Sequence, residues 1–240
     1  LERGFLVDLW GTLFYPGVSM QEYHRCRVQH LARVLGENGF ELPEEAVYKA
    51  YLKAREVADT LRSWTMREVD ATGEVVLVLR NLDVEPERKL VDELVEAYMR
   101  PYVSLLRVAE GAVELLERVR EEGYKVALAS NTISTRHTLE LLRRGGLLGY
   151  FDFLALSDSI GYRKPHPRFF SYLITGTGVS PGESVFLGDE ELDVAGARQF
   201  GMFTIAYTGF HEYTGSVQPH AFASRMEEVL ELLRKGLKLF

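Results

Sequence analysis

Apolar and polar positions change rhythm along this chain, and each change predicts a different element. Residues 4 to 10, from Gly4 to Trp10, form a short and nearly continuous apolar run, the pattern of a strand buried on both faces of a parallel sheet; Gly11 ends it. After Tyr15-Pro16-Gly17 the period becomes helical and stays so over residues 19 to 103. Ala46, Val47, Ala50, Tyr51, Ala54, Val57, Ala58 and Leu61 recur at three and four, as do Leu90, Val91, Leu94, Val95, Tyr98 and Met99. Leu42-Pro43 reads as a helix start and Arg100-Pro101 as a helix stop. The run from Val75 to Leu79 fits either a strand or a buried helix.

From residue 111 the texture alternates. Helix is expected at 112–120, strand at 125–129, helix at 135–144, a short strand at 153–156 and helix from Pro167. Strand at 184–187, helix at 192–200, strand at 202–206 and a last helix near 226–235 complete the series. Strands alternating with helices predict an α/β fold, a Rossmann-like, doubly wound parallel sheet. The first strand must join that sheet from across the helical stretch. The expected organisation is therefore one α/β domain, residues 1–14 and 106–240, interrupted by an α-helical insertion, residues 15–105. The segment 229–240 is amphipathic and is expected to dock on the sheet.

Composition narrows the class. The 240 residues are 46% hydrophobic and 26% charged, with one Cys and a formal net charge of −7. This profile excludes disordered, collagenous and disulfide-stapled chains, and a lone Cys26 does not call for an oxidising compartment, so a cytoplasmic setting is expected. No apolar run approaches the ~18 residues of a membrane span, and the basic residues form no stripe. A small molecule is the expected partner, without nucleic acid or membrane, on a monomer or homodimer.

In open parallel sheets, ligands bind beyond the carboxyl ends of the strands. Those ends carry Asp8-Leu9-Trp10-Gly11-Thr12, then Ser130-Asn131-Thr132, then Gly188-Asp189-Glu190-Glu191-Leu192-Asp193; Lys164-Pro165 precedes a helix. Asp8, Asp189 and Asp193 on one rim would repel one another beyond what Lys164 can offset, and an all-oxygen donor set favours Mg²⁺. Together these motifs resemble the haloacid dehalogenase superfamily, with residues 15–105 in the place of its helical C1-type cap. The resemblance implies Asp8 as nucleophile, Thr12 positioning its loop, Ser130 holding the transferring group and Lys164 neutralising it. It further implies Mg²⁺ on Asp8, Asp189 and the Trp10 carbonyl, with Asp193 ordering metal waters or Lys164. Trp10, Gly11 and Asn131 would face a small phosphorylated substrate.

Trp10 departs from the phosphatase pattern, in which a second Asp protonates the leaving oxygen; an indole can do neither that nor activate water. Esters with acidic leaving groups are the expected preference. The superfamily's metal-free 2-haloacid dehalogenases carry an aromatic residue there, so a halogenated substrate is the alternative. A weakly catalytic phospho-ligand-binding module is the third. Retention of both Asp189 and Asp193 favours the phosphohydrolase, working through an aspartyl-phosphate on Asp8. Glu190 is expected to be a loop carboxylate, His166 to pack in its loop, and Cys26 to be a small buried hydrophobe. Phosphonate hydrolases of the superfamily also lack the second Asp but need a cap lysine that forms a Schiff base, a role the sequence does not assign to Lys49 or Lys53. Arg62, Ser63, Trp64 and Arg67 could select substrate, a solvated helix end being the simpler account.

Overall fold

The computed structural model describes residues 2–235. In chain order the elements are β1 (Gly4–Val7), β2 (Phe14–Pro16), α1 (Met20–Glu37), α2 (Glu44–Thr65), α3 (Ala71–Asn81), α4 (Arg88–Leu105), β3 (Leu106–Val108), α5 (Ala112–Glu121) and β4 (Lys125–Ser130). There follow α6 (Thr135–Arg144), β5 (Phe153–Leu156), α7 (Ser157–Ile160), α8 (Pro167–Thr177), β6 (Val185–Gly188), α9 (Glu191–Gln199), β7 (Phe203–Tyr207), β8 (Ala221–Ala223) and α10 (Met226–Arg234). The amphipathic tail expected over 229–240 is α10 as far as Arg234; residues 236–240 lie outside the described residues.

The chain divides into two compact units, residues 1–15, 107–131 and 142–240 in one and residues 16–106 with 132–141 in the other. The first is α/β. Its sheet has the order β5-β4-β1-β6-β7-β8, parallel throughout. Residues 5–7 of β1 register against 126–128 of β4 and 185–187 of β6, so the strand farthest away in sequence lies inside the sheet. The order reverses there, and the ends of β1, β4 and β6 meet at the switch point where such sheets bind ligands. Strand periodicity splits the buried side chains between the two faces. On one, Leu6, Ala127, Ala129 and Phe186 pack with Phe169, Phe170 and Leu173 of α8 and Ala197 of α9. Small residues on β4 leave room for the phenylalanines.

The second unit is helical. α1 packs on α4 and α2, and α3 on α2 and α4. Its residues 132–141 are tied in by a bond from Ala71 N to Ile133 O of 2.8 Å and by Tyr102 and Thr138 hydroxyls 3.1 Å apart. The run from Val75 to Leu79 is helix, part of α3. Arg100-Pro101 does not stop its helix: α4 continues to Leu105 with Pro101 inside. Proline there removes one backbone bond and costs about 3 kcal/mol in an isolated helix. Here Tyr98, Met99, Tyr102 and Val103 are buried on either side of it, and that packing carries the helix through. Among the described residues no helix is long and apolar enough to cross a membrane.

Candidate active site

Asp8 follows the last residue of β1, and its amide donates to Leu187 O of β6 at 2.9 Å, which keeps the chain in the sheet up to the turn. Gly11 then takes a left-handed φ of 79°. A Cβ at that position would run into the Asp189 carboxylate, so only glycine lets the two loops approach this closely. Trp10 is partly exposed and bridges to Phe14 through the backbone. Thr12, buried, donates its hydroxyl to Asp189 Oδ1 at 3.2 Å.

Lys164 is the buried cation of the site. Its Nζ donates to Asp8 Oδ1 at 2.5 Å and to Ala129 O at 2.7 Å, and lies 2.6 Å from Asp193 Oδ1 in an ion pair. Asn131 holds the lysine loop from beneath, accepting from the Lys164 amide at 2.8 Å and donating weakly to the Lys164 carbonyl at 3.4 Å. Ser130 is buried at the end of β4. Asp193 lies in the first turn of α9; its Oδ2 accepts from the Glu190 amide at 3.1 Å, one half of a capping box whose other half is the Glu190 side chain. Gly188 is a glycine because a Cβ there would collide with Asp193.

Asp8, Asp189 and Asp193 are all buried and offer oxygens within 4.8 Å of one another. Loss of solvation, and then the charges of Asp8 and Asp193, push Asp189 up to about 10. Asp193 is pushed up to about 6 by burial against the pull of Lys164, and burial likewise raises Asp8. Lys164, for all its burial, is held charged by Asp193 and Asp8. One lysine does not settle three carboxylates, and the unbalanced set of hard oxygen donors fits a small divalent cation.

The structure joins Lys164 to Asp8 and Asp193, and Thr12 to Asp189, with oxygens of the three carboxylates within 4.8 Å of one another and Ser130 and Asn131 at the adjoining strand end. It also adds a residue absent from the sequence expectations. His211, four positions beyond β7, places Nε2 2.7 Å from Asp189 Oδ2. Extending the strand-end reading to β7 would have reached it. Other candidates lie elsewhere. Lys49 pairs with Glu45 on the surface of α2 at 2.9 Å, and Lys53 is exposed. His166 caps α8, accepting from the Arg168 amide at 3.1 Å, and Cys26 is half-buried. Arg62 is neither at a solvated helix end nor free to select substrate: it is buried among Asp59, Glu68 and Glu74, while Trp64 is 83% exposed.

The profile of haloacid dehalogenase-like hydrolases matches residues 28–207, most of the chain. The chain belongs to the haloacid dehalogenase-like hydrolase family. The match begins after Asp8. A glyceraldehyde 3-phosphate phosphatase from Methanopyrus kandleri is 28% identical over 98% of this chain and 99% of its own. Among solved structures, a HAD phosphatase from Thermococcus onnurineus superposes with a TM-score of 0.69 at 24% identity, covering 96% of this chain and 97% of that one. A 2-haloacid dehalogenase from Pseudomonas syringae superposes with a TM-score of 0.73 at 21% identity, over 98% and 99%. These two share the fold and differ in chemistry, so the fold does not choose between them. The chain is an enzyme of this hydrolase family, and the Methanopyrus kandleri relative, matched over its full length, is a phosphatase.

Proposed function

We propose that the protein is a Mg²⁺-dependent phosphohydrolase acting on a small phosphorylated metabolite. The observation that carries this reading is the buried cluster of Asp8, Asp189 and Asp193 around a single lysine. Asp8, Asp189, Asp193 and the Trp10 carbonyl would hold Mg²⁺, whose charge offsets that of the carboxylates and of the transferring phosphoryl group. A carboxylate oxygen of Asp8 attacks phosphorus in line, the ester P–O bond breaks, and the leaving oxygen departs with the electron pair. Ser130 donates to a phosphoryl oxygen and Lys164 balances the charge that builds there. Water then attacks the aspartyl-phosphate at phosphorus, returning the Asp8 carboxylate and releasing phosphate. Trp10 supplies no proton to the leaving oxygen, so a leaving group that is stable as an anion is favoured. Residues 15–105 serve as the cap domain of this reading, and a cytoplasmic pool supplies metal and substrate.

Trp10 also supports a second reading, a metal-independent 2-haloacid dehalogenase in which Asp8 attacks carbon and halide leaves unprotonated. Side-by-side assays separate the two. p-Nitrophenyl phosphate, glyceraldehyde 3-phosphate and 2-chloropropionate are each tested with Mg²⁺ and with EDTA, using Asp8→Asn as the blank. The expected outcome is phosphate release that needs Mg²⁺ and vanishes in the variant. Halide release in EDTA would establish the second reading, and phosphate-dependent stabilisation with no turnover would reduce the site to a binding module.

A further inference from the structure

His211 touches the carboxylate cluster and has no part in the chemistry above. Its Nδ1 lies 2.8 Å from the Glu212 carbonyl oxygen, which can only accept, so Nδ1 carries the hydrogen. In the neutral ring the lone pair is then on Nε2, the nitrogen that faces Asp189 Oδ2 at 2.7 Å. In the metal-free protein a proton closes that contact, and a cation bound to the carboxylates would take its place. Metal-binding histidines have this same disposition, one ring nitrogen donating to a carbonyl while the other presents its lone pair.

The surroundings favour the same role. Thr12 holds the other oxygen of Asp189, and the missing Cβ of Gly11 leaves Oδ2 its space. The His211 side chain is 43% exposed, so it can turn the short distance that a shared cation requires. Its loop is anchored on α9, the helix that carries Asp193. Glu191 of α9 accepts from the amides of Ser216 and Val217, both at 2.9 Å.

We propose that His211 is a nitrogen ligand of the divalent cation, giving a mixed nitrogen and oxygen site that takes Mn²⁺ and Ni²⁺ in preference to Mg²⁺. This rests on the reading that Asp8, Asp189 and Asp193 hold a cation. Imidazole adds affinity for transition ions and little for Mg²⁺, so the signature is a selective loss when the ring is removed.

The test is calorimetric titration of the whole protein with Mg²⁺, Mn²⁺ and Ni²⁺, together with electron spin-echo modulation of bound Mn²⁺. Wild-type protein, His211→Ala, His211→Asn and Asp189→Asn are compared. Wild-type Mn²⁺ should show ¹⁴N modulation that both His211 variants lose. Those variants should bind Mn²⁺ and Ni²⁺ about tenfold or more weakly while Mg²⁺ affinity changes much less, and Asp189→Asn should weaken all three ions. Mn²⁺ that binds without ¹⁴N modulation, or His211 variants that weaken Mg²⁺ as much as Ni²⁺, would overturn the proposal and leave the carboxylate site standing. Wild-type protein that binds none of the ions, or Asp189→Asn binding like wild type, would remove the carboxylate site and the proposal with it.

Discussion

Gly11 and Gly39 separate two reasons for a glycine at a single residue. Both have left-handed backbone, φ 79° and 87°, but a Cβ on Gly11 meets the Asp189 carboxylate whereas one on Gly39 meets nothing within 4 Å. Alanine at position 39 therefore pays only conformational strain, about 1 kcal/mol. Alanine at position 11 adds a collision with a carboxylate that has Thr12 on one oxygen and His211 on the other. Gly11→Ala is expected to lower kcat about 100-fold, the cost of moving a site carboxylate by about 1 Å, and, on the reading proposed above, to weaken Mg²⁺ binding, while Gly39→Ala leaves both unchanged. Steady-state kinetics and metal titration on the two variants check this, and equal kinetics would mean that the loop tolerates the side chain. A residue such as Gly11 is legible in sequence because its neighbours Asp8 and Thr12 make the motif. His211 belongs to no such motif: its partner lies 22 positions away, and only the strand-end reading carried on to β7 leads to it.

At the scale of the elements, the end of α2 is joined to α3 and α4 by polar groups in an otherwise apolar bundle. Arg62 donates through Nε to Glu68 at 2.9 Å and through Nη1 to Asp59 at 2.8 Å, and it also bonds the buried Glu74, which accepts from the Tyr98 hydroxyl of α4. Removing the cation strands two buried carboxylates, Glu68 and Glu74. Arg62→Met is therefore expected to destabilise the protein by about 3–5 kcal/mol, and adding Glu74→Leu to recover part of that loss. Urea unfolding of the single and double variants measures it, and an unrecovered loss would show that Arg62 acts by packing. Periodicity foretold α2 and α4 because their apolar stripes are regular, and, apart from α7 and β8, it foretold the order of strands and helices after residue 111. It could not foretell that Arg62 turns inward, since the buried acidic partners that admit it, Glu68 and Glu74, come from beyond the helix. Nor could it carry α4 past Pro101, where local propensity yields to tertiary burial, or detect β8, three residues long at a sheet edge.

For the whole molecule, the net charge of −7 matters less than where the buried titratable groups fall. In the helical unit His24, bonded to the Tyr51 hydroxyl at 2.6 Å, is lowered to about 4 by burial and by Arg55 and Arg27. The unfolded chain takes up that proton first as pH falls, so this group costs stability between about pH 6.5 and 4. In the α/β unit the sign is opposite. Asp189, raised to about 10, keeps its proton in the folded state while the unfolded chain releases it near the ordinary carboxylate value. Stability therefore falls as pH rises from about 4 toward 10, and above about pH 6.5 the histidine no longer opposes the trend. A cation on the carboxylates removes the reason for the raised value, because it takes the place of the proton. In EDTA the melting temperature should fall from pH 7 to pH 9, and with saturating Mg²⁺ that slope should flatten, so the stabilisation by metal grows with pH. Differential scanning fluorimetry in both conditions measures the two slopes. Parallel slopes would mean that Asp189 does not exchange a proton for a metal, whereas a gap that widens with pH is the mark of carboxylates buried together to bind a cation.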